Sequence, residues 1–179
     1  VLDDGYVDQA REQNGDHRPA GPLRGGKYSV YNVGTQVPMV LRWPEKVPAG
    51  QVSEALVSQV DLLASFAALG GQPLEPGVAP DSEDVLEALL GNRPAGRKEL
   101  VVEGIGRRLG LIAGDWKYIP PHDGPALVPW GPIIETGFLP APQLYYLAED
   151  PGERDNRAAT EMGKVRELAE RLEAIQKGE

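Results

Sequence analysis

Residues 21–44 read GPLRGGKYSVYNVGTQVPMVLRWP: a glycine-rich loop carrying Arg24 and Lys27 runs into apolar, β-branched sequence punctuated by Pro38 and Pro44. Glycine lets a backbone turn and approach a ligand closely, and successive exposed N–H groups cradle an anion whose charge a neighbouring Lys offsets. The stretch therefore predicts an anion-binding loop feeding a strand over residues 37–43. Just upstream, His17 and Arg18 extend the positive patch against Asp16 alone, while Pro19, Pro22 and the glycines forbid regular structure over residues 16–26.

The patch is local. The chain has 179 residues, 41% of them hydrophobic, and a formal net charge of −9. That size suits one ordinary domain, or a small domain plus a piece of another. The charge argues against nonspecific binding to nucleic acid or to anionic membrane surfaces. With no Cys, disulfides, thiolate zinc sites and a cysteine nucleophile are excluded within these residues. No stretch approaches the ~18 apolar residues of a membrane span. The opening VLDDGYVDQA resembles no signal peptide and begins in mid-pattern without Met, so a fragment is expected whose targeting segment lies upstream.

Residues 3–13 could form a short helix capped by Asp3 or Asp4. Beyond the strand and the WPEKVPAG turn, residues 52–70 alternate and then turn helical, with Val60, Leu63, Ala64 and Ala67 on one face and Gly70–Gly71 as the stop. Asp81 can cap a second helix over 83–90. The punctuation GNRPAG, residues 91–96, marks a domain boundary: 1–96 on one side, 97–179 on the other. Strands follow at 98–104, at 109–113 and 116–119 as a hairpin turning on Gly114–Asp115, and at 143–147. The proline-rich residues 120–142 show no packing pattern, and Asp150, Glu153 and Asn156 read as a turn and helix-entry device rather than a metal site. Val165, Leu168, Ala169, Leu172 and Ile175 recur at helical spacing over 160–177, leaving Arg166, Glu167, Glu170, Arg171 and Glu173 as a solvated face. The expected fold class is α+β, with residues 97–179 a small antiparallel sheet packed by a C-terminal helix.

Gly21-x4-Gly26-Lys27 spells most of a Walker A loop but fails where that motif is strict. Tyr28 stands at the Ser/Thr position, Pro22 removes a donor, no strand precedes the loop, and YSVYNV starts a helix poorly.

The order of motifs over nearly the whole chain resembles the sulfatase family. Residues 15–50, GDHRPAGPLRGGKYSVYNVGTQVPMVLRWPEKVPAG, are similar to its glycine-preceded Lys, following aromatic and Gly-Thr-Arg-Val-Pro-like entry before Trp-Pro. VSEALVSQVDLLASFAALGG is similar to its Ser-x-x-Asp-Leu helix, and ALLGN to its Leu-Leu-Gly. GDWKYI and LYYLAEDPGERDN match its Trp-Lys-Tyr strand and Leu-Tyr-x-Leu-x-x-Asp-Pro-x-Glu-x-x-Asn ending.

That resemblance implies a hydrolase of aryl or saccharide sulfate monoesters in the alkaline-phosphatase superfamily, using calcium and a formylglycine made in a Cys/Ser-x-Pro-x-Arg motif, and a fold in which residues 1–96 are the tail of the family's large α/β domain and 97–179 its smaller C-terminal subdomain. Neither form of that motif occurs here. The implied nucleophile and metal ligands lie upstream, so the isolated C-terminal portion is expected to be inactive, with no metal of its own. Lys27 matches the lysine that contacts the substrate's sulfate, where an ammonium offsets charge shifting toward the leaving oxygen. His17 falls near a substrate-facing His of some members, and Arg24 could add charge on the sugar or aryl side. Where the family commonly has Tyr/Phe-Glu-Gly-Gly-x-Arg-x-Pro, Asn32 and Gln36 replace the Glu and Arg. If those form an ion pair in relatives, their joint replacement leaves no buried charge unpaired. The compartment is not fixed by these residues; a periplasmic or secreted parent fits the resemblance. The competing readings are a related phosphodiesterase or phosphonate hydrolase, and a non-catalytic module self-associating through a former domain interface.

Overall fold

The computed structural model describes residues 15, 20–72, 74–130 and 133–178. The helix expected over residues 3–13, with Asp3 and Asp4, lies outside them. Contacts divide the chain into two compact units, residues 38–100 and a discontinuous unit joining the described residues up to Val37 to those of 101–179.

β1 (Glu99–Gly104), β2 (Arg108–Ala113), β3 (Trp116–Ile119) and β4 (Gln143–Tyr146) form one sheet in the order β1-β2-β3-β4. Gly114, at φ +55°, supplies the left-handed turn that lets Ala113 pair with Trp116, and the antiparallel register continues to Leu111 opposite Tyr118. β4 then pairs antiparallel with β3, Tyr145 opposite Lys117.

The amphipathic pattern near the C-terminus becomes α4 (Met162–Lys177), which closes on Gly178 at φ +79°. Its Leu168 and Leu172 pack with Leu111, Tyr118, Leu144 and Ala158, and Val165, Ala169 and Ile175 flank this core. Burying a leucine side chain is worth about 1.5–3 kcal/mol, so Leu168 and Leu172 anchor the helix. The charged face is exposed as expected.

Residues 120–142 depart from expectation. Val128, Ile134, Thr136 and Phe138 are buried, Leu127 bridges to Glu135, and the Thr136 carbonyl accepts the Val30 N–H at 2.9 Å. Proline spacing hides this packing because it removes both repeat periods on which pattern reading depends.

The 38–100 unit contains α2 (Asp61–Leu69) and α3 (Leu86–Leu89). A buried polar cluster pins α2: Asp61 accepts from Ser58 N–H at 2.8 Å, Glu83 N–H at 3.0 Å and Arg97 Nη1 at 2.6 Å, and Ser65 Oγ accepts from Val85 N–H at 3.0 Å. Its buried face is Asp61, Ala64 and Ser65, while Val60, Leu63 and Phe66 are exposed, so the expected apolar face is corrected. The expected helix over 83–90 shortens to α3, whose first N–H is met by Asp84 rather than Asp81. No strand forms over residues 37–43. The one sheet among the described residues is β1–β4, and Val40 is 93% exposed. β propensity does not produce a strand without a partner for its ladder.

Candidate functional site

The Lys27 loop is built from inside. Gly25, at φ +92°, sits where an added Cβ would fall 2.6 Å from Ser29 Oγ, so glycine alone fits both the backbone and the space. Ser29 N–H donates to the Gly26 carbonyl at 3.0 Å, turning the chain through Lys27 and Tyr28. Ser29 Oγ accepts from Tyr31 N–H, and Val33 N–H returns to the Arg24 carbonyl at 3.0 Å. The chain then enters α1 (Asn32–Thr35), one helical turn absent from the expected pattern.

Lys27 is exposed, its ammonium 5.1 Å from the centre of the Tyr28 ring. Arg24 faces the other way. Its guanidinium binds Glu135 bidentately, Nε to Oε2 at 2.7 Å and Nη2 to Oε1 at 2.5 Å, while Nη1 donates to the Glu153 carbonyl at 2.8 Å. It also lies 4.2 Å above the Tyr31 ring. The hydrogen bonds to Glu135 hold the Arg24 pKa above its ordinary value, and the same bonds hold the Glu135 carboxyl below the usual carboxylate range. With its donors so engaged, Arg24 fastens the loop. His17 lies outside the described residues.

Beneath the loop sits a buried ion pair. Lys117 and Glu153 are both fully buried, Nζ 2.7 Å from Oε1. Glu153 Oε2 accepts from Asn32 N–H at 2.7 Å, and Lys117 Nζ donates to Asn32 Oδ1 at 3.0 Å. Asn32 Nδ2 reaches the Pro151 carbonyl at 3.2 Å. Burial pulls the Lys117 ammonium down and pushes the Glu153 carboxyl up, each opposed by the other's charge. Asn32 thus supplies a neutral acceptor beside a balanced pair of charges. Gln36 is exposed and engages α1 through its backbone N–H, donated to the Asn32 carbonyl at 2.7 Å.

A second buried network adjoins it. Tyr31 and Tyr145 hydroxyls both donate to Gln143 Oε1, at 2.7 and 2.9 Å, and Gln143 Nε2 donates to the Gly137 carbonyl at 2.8 Å. Burial raises both tyrosine pKa values, keeping the hydroxyls as donors.

The turn expected at residues 150–156 is present: Asp150 Oδ2 accepts from Arg154 and Asp155 N–H, and Asn156 Oδ1 from Leu144 and Ala158 N–H. Its Glu153, at φ +53°, points inward to Lys117, a role that turn chemistry alone does not show. Glu135, Lys117 and Glu153 are the site-supporting residues that sequence reasoning missed. A lysine amid the apolar residues of WKYI was the available signal, since a strand buried on both faces leaves its ammonium no route to water.

A family model described as Sulfatase matches residues 13–72. The chain is 46% identical to the N-acetylgalactosamine-6-O-sulfatase of Bacteroides thetaiotaomicron over 98% of its own length and 34% of that protein's. It is 30% identical to human arylsulfatase A, covering 88% of this chain and 33% of that protein. Among solved structures, a B. thetaiotaomicron protein described in connection with the metabolism of multiple glycosaminoglycans superposes with a TM-score of 0.90 at 45% identity, over 99% of this chain and 36% of the other. The PsFucS1 sulfatase of Pseudoalteromonas, at 20% identity, shares the fold with a TM-score of 0.72 over 98% of this chain. The chain spans about a third of the length of these relatives. Its ordered motifs, its α+β architecture and this likeness agree: the chain belongs to the sulfatase family and corresponds to the C-terminal region of its relatives.

Proposed function

We propose that this chain forms the sulfate-contacting edge of an enzyme that hydrolyses sulfate monoesters, with Lys27 binding a sulfuryl oxygen. The observation that carries this is the contrast between two cations on one loop. Arg24 is engaged by Glu135 and the Glu153 carbonyl, whereas Lys27 is exposed on a turn held from beneath. An ammonium fixed there stabilises negative charge building on the ester as its S–O bond breaks, at little reorganisation cost. The relatives' names support a sulfated saccharide or aryl ester as substrate.

Among the described residues no cluster of three His, Cys, Asp or Glu could hold a metal ion, and no Cys/Ser-x-Pro-x-Arg occurs in the sequence. These residues therefore do not fit calcium or formylglycine, and both are assigned in this proposal to sequence outside the 179 residues. Alone, the chain binds sulfate esters without turning them over. Titration with N-acetylgalactosamine 6-sulfate, followed by amide chemical shifts, should perturb residues 25–30, and Lys27→Ala should abolish the shifts. Turnover by the isolated chain, or shifts unaffected by Lys27→Ala, would overturn the proposal. Exposed Val40, Val52, Leu63 and Phe66 in the 38–100 unit further support self-association of the isolated chain.

A further inference from the structure

The turn that presents Lys27 is strained at its next residue. Ser29 N–H to Gly26 carbonyl closes a four-residue turn whose third residue, Tyr28, has φ +85°. This is type II turn geometry, where the third position favours glycine because an L side chain crowds the backbone. A bulky residue held in that conformation points to a use for its side chain.

The Tyr28 ring stands edge-to-face with Trp130, centroids 5.0 Å apart and planes at 80°, while the Lys27 ammonium lies 5.1 Å from its centre. Trp130 is 48% exposed. An ammonium, a phenol and an indole therefore follow one another along the surface. The phenol's backbone is anchored: the Tyr28 carbonyl accepts from Ile105 N–H at 2.9 Å, and Val30 N–H binds the Thr136 carbonyl at 2.9 Å. Such a row is organised before any ligand arrives.

We infer that Trp130, held edge-to-face by Tyr28, is the stacking surface for the sugar ring next to the one whose sulfate Lys27 binds, so the ligand class is a sulfated oligosaccharide rather than a lone aryl sulfate. The inference rests on the proposed role of Lys27. Aromatic faces are electron-rich, and the C–H face of a pyranose presents weakly positive hydrogens to them. Laid end to end, the two spacings bound the ammonium-to-indole distance by the length of two linked pyranose rings. An aryl sulfate small enough to place its sulfate on Lys27 and its ring on Tyr28 would leave Trp130 unused.

The test is calorimetric titration of the 179-residue chain with N-acetylgalactosamine 6-sulfate, with a disaccharide carrying the same sulfated residue, and with that disaccharide unsulfated. The sulfated disaccharide should bind about tenfold more tightly than the monosaccharide. Trp130→Ala should erase that advantage while leaving monosaccharide binding unchanged. Tyr28→Gly, which relieves the backbone and keeps the turn, should reduce the advantage without loss of fold. Equal affinity for the two sulfated ligands, or an advantage that survives Trp130→Ala, would overturn the platform while Lys27→Ala still weakens both ligands. If sulfated and unsulfated disaccharides bind equally and both need Trp130, the platform stands and the Lys27 reading falls. No saturable binding up to about 10 mM would overturn both.

Discussion

Replacing Lys117 by Met should reveal how much of the Lys27 loop rests on one buried ion pair. The substitution keeps an unbranched stem of similar length and deletes the ammonium that meets Glu153 at 2.7 Å and Asn32 at 3.0 Å. Removing one partner of a buried pair typically costs about 3–5 kcal/mol. Against a total stability of roughly 5–15 kcal/mol, that is a large fraction. In urea the midpoint should fall by roughly 2 M, which tryptophan fluorescence and circular dichroism would register together. The sign of the pH dependence is diagnostic. Burial already raises the Glu153 pKa above 4.5, and loss of the ammonium raises it further. A carboxyl whose folded pKa exceeds its unfolded one favours folding below the unfolded value and loses that contribution as pH rises through the folded one. The Lys117→Met penalty should thus grow from pH 5 to pH 8. Glu153→Gln should show the mirror image. Burial lowers the Lys117 pKa below 10.5, so its penalty should be greatest at low pH and shrink toward alkaline pH. Combining the two substitutions should recover most of the loss, because no charge remains buried. A penalty under about 1 kcal/mol, or one flat with pH, would refute this account of the pair.

Much of the scaffold was legible because it repeats. The four strands and α4 follow from alternation, from Gly114–Asp115 and from the 3.6-residue spacing of Val165, Leu168, Leu172 and Ile175, all local signals. Where pattern and structure part, the missing information is non-local. Residues 37–43 have every strand propensity and no ladder partner among the described residues. On α2, Asp61 and Ser65 turn inward because Arg97 and the backbone at Glu83 and Val85 satisfy them, which reverses the face that hydrophobicity selects.

The loop was legible as an exposed cation on glycine-rich backbone, and the family resemblance singled out Lys27, but the fastening role of Arg24 was not visible in the sequence. That role arises only once Glu135, 111 residues away, takes up the guanidinium. Asn32 is a parallel case: as a departure from a family pattern it looks like half of a lost ion pair, yet its side chain meets Lys117 and Pro151. Partners so distant in sequence leave no periodic trace.

Two further outcomes follow. The exposed Val40, at 93%, and Val52, at 92%, with Leu63 and Phe66 nearby in sequence, should make sedimentation of the chain concentration-dependent. Replacing Val40 and Leu63 by Lys should return it to monomer, and a monomer at all concentrations would refute self-association. The acid limb of stability should begin with His122. Burial pulls its pKa below the ordinary 6.5, with Arg108 adding to the shift and the Leu109 carbonyl, 3.1 Å from Nε2, and Asp123 opposing it. The folded chain thus resists a proton that the unfolded chain takes up, so the His122 contribution is constant above pH 6.5 and declines as pH falls toward the folded pKa. Glu135, held low by Arg24, adds a second decline starting near pH 4.5. His122→Gln keeps a donor for Leu109 and cannot titrate, so the decline between pH 6.5 and 5 should disappear while the later one persists. The chain has one other histidine, so the comparison is made in a His17→Asn background, and an early decline that survives His122→Gln would locate the proton uptake elsewhere.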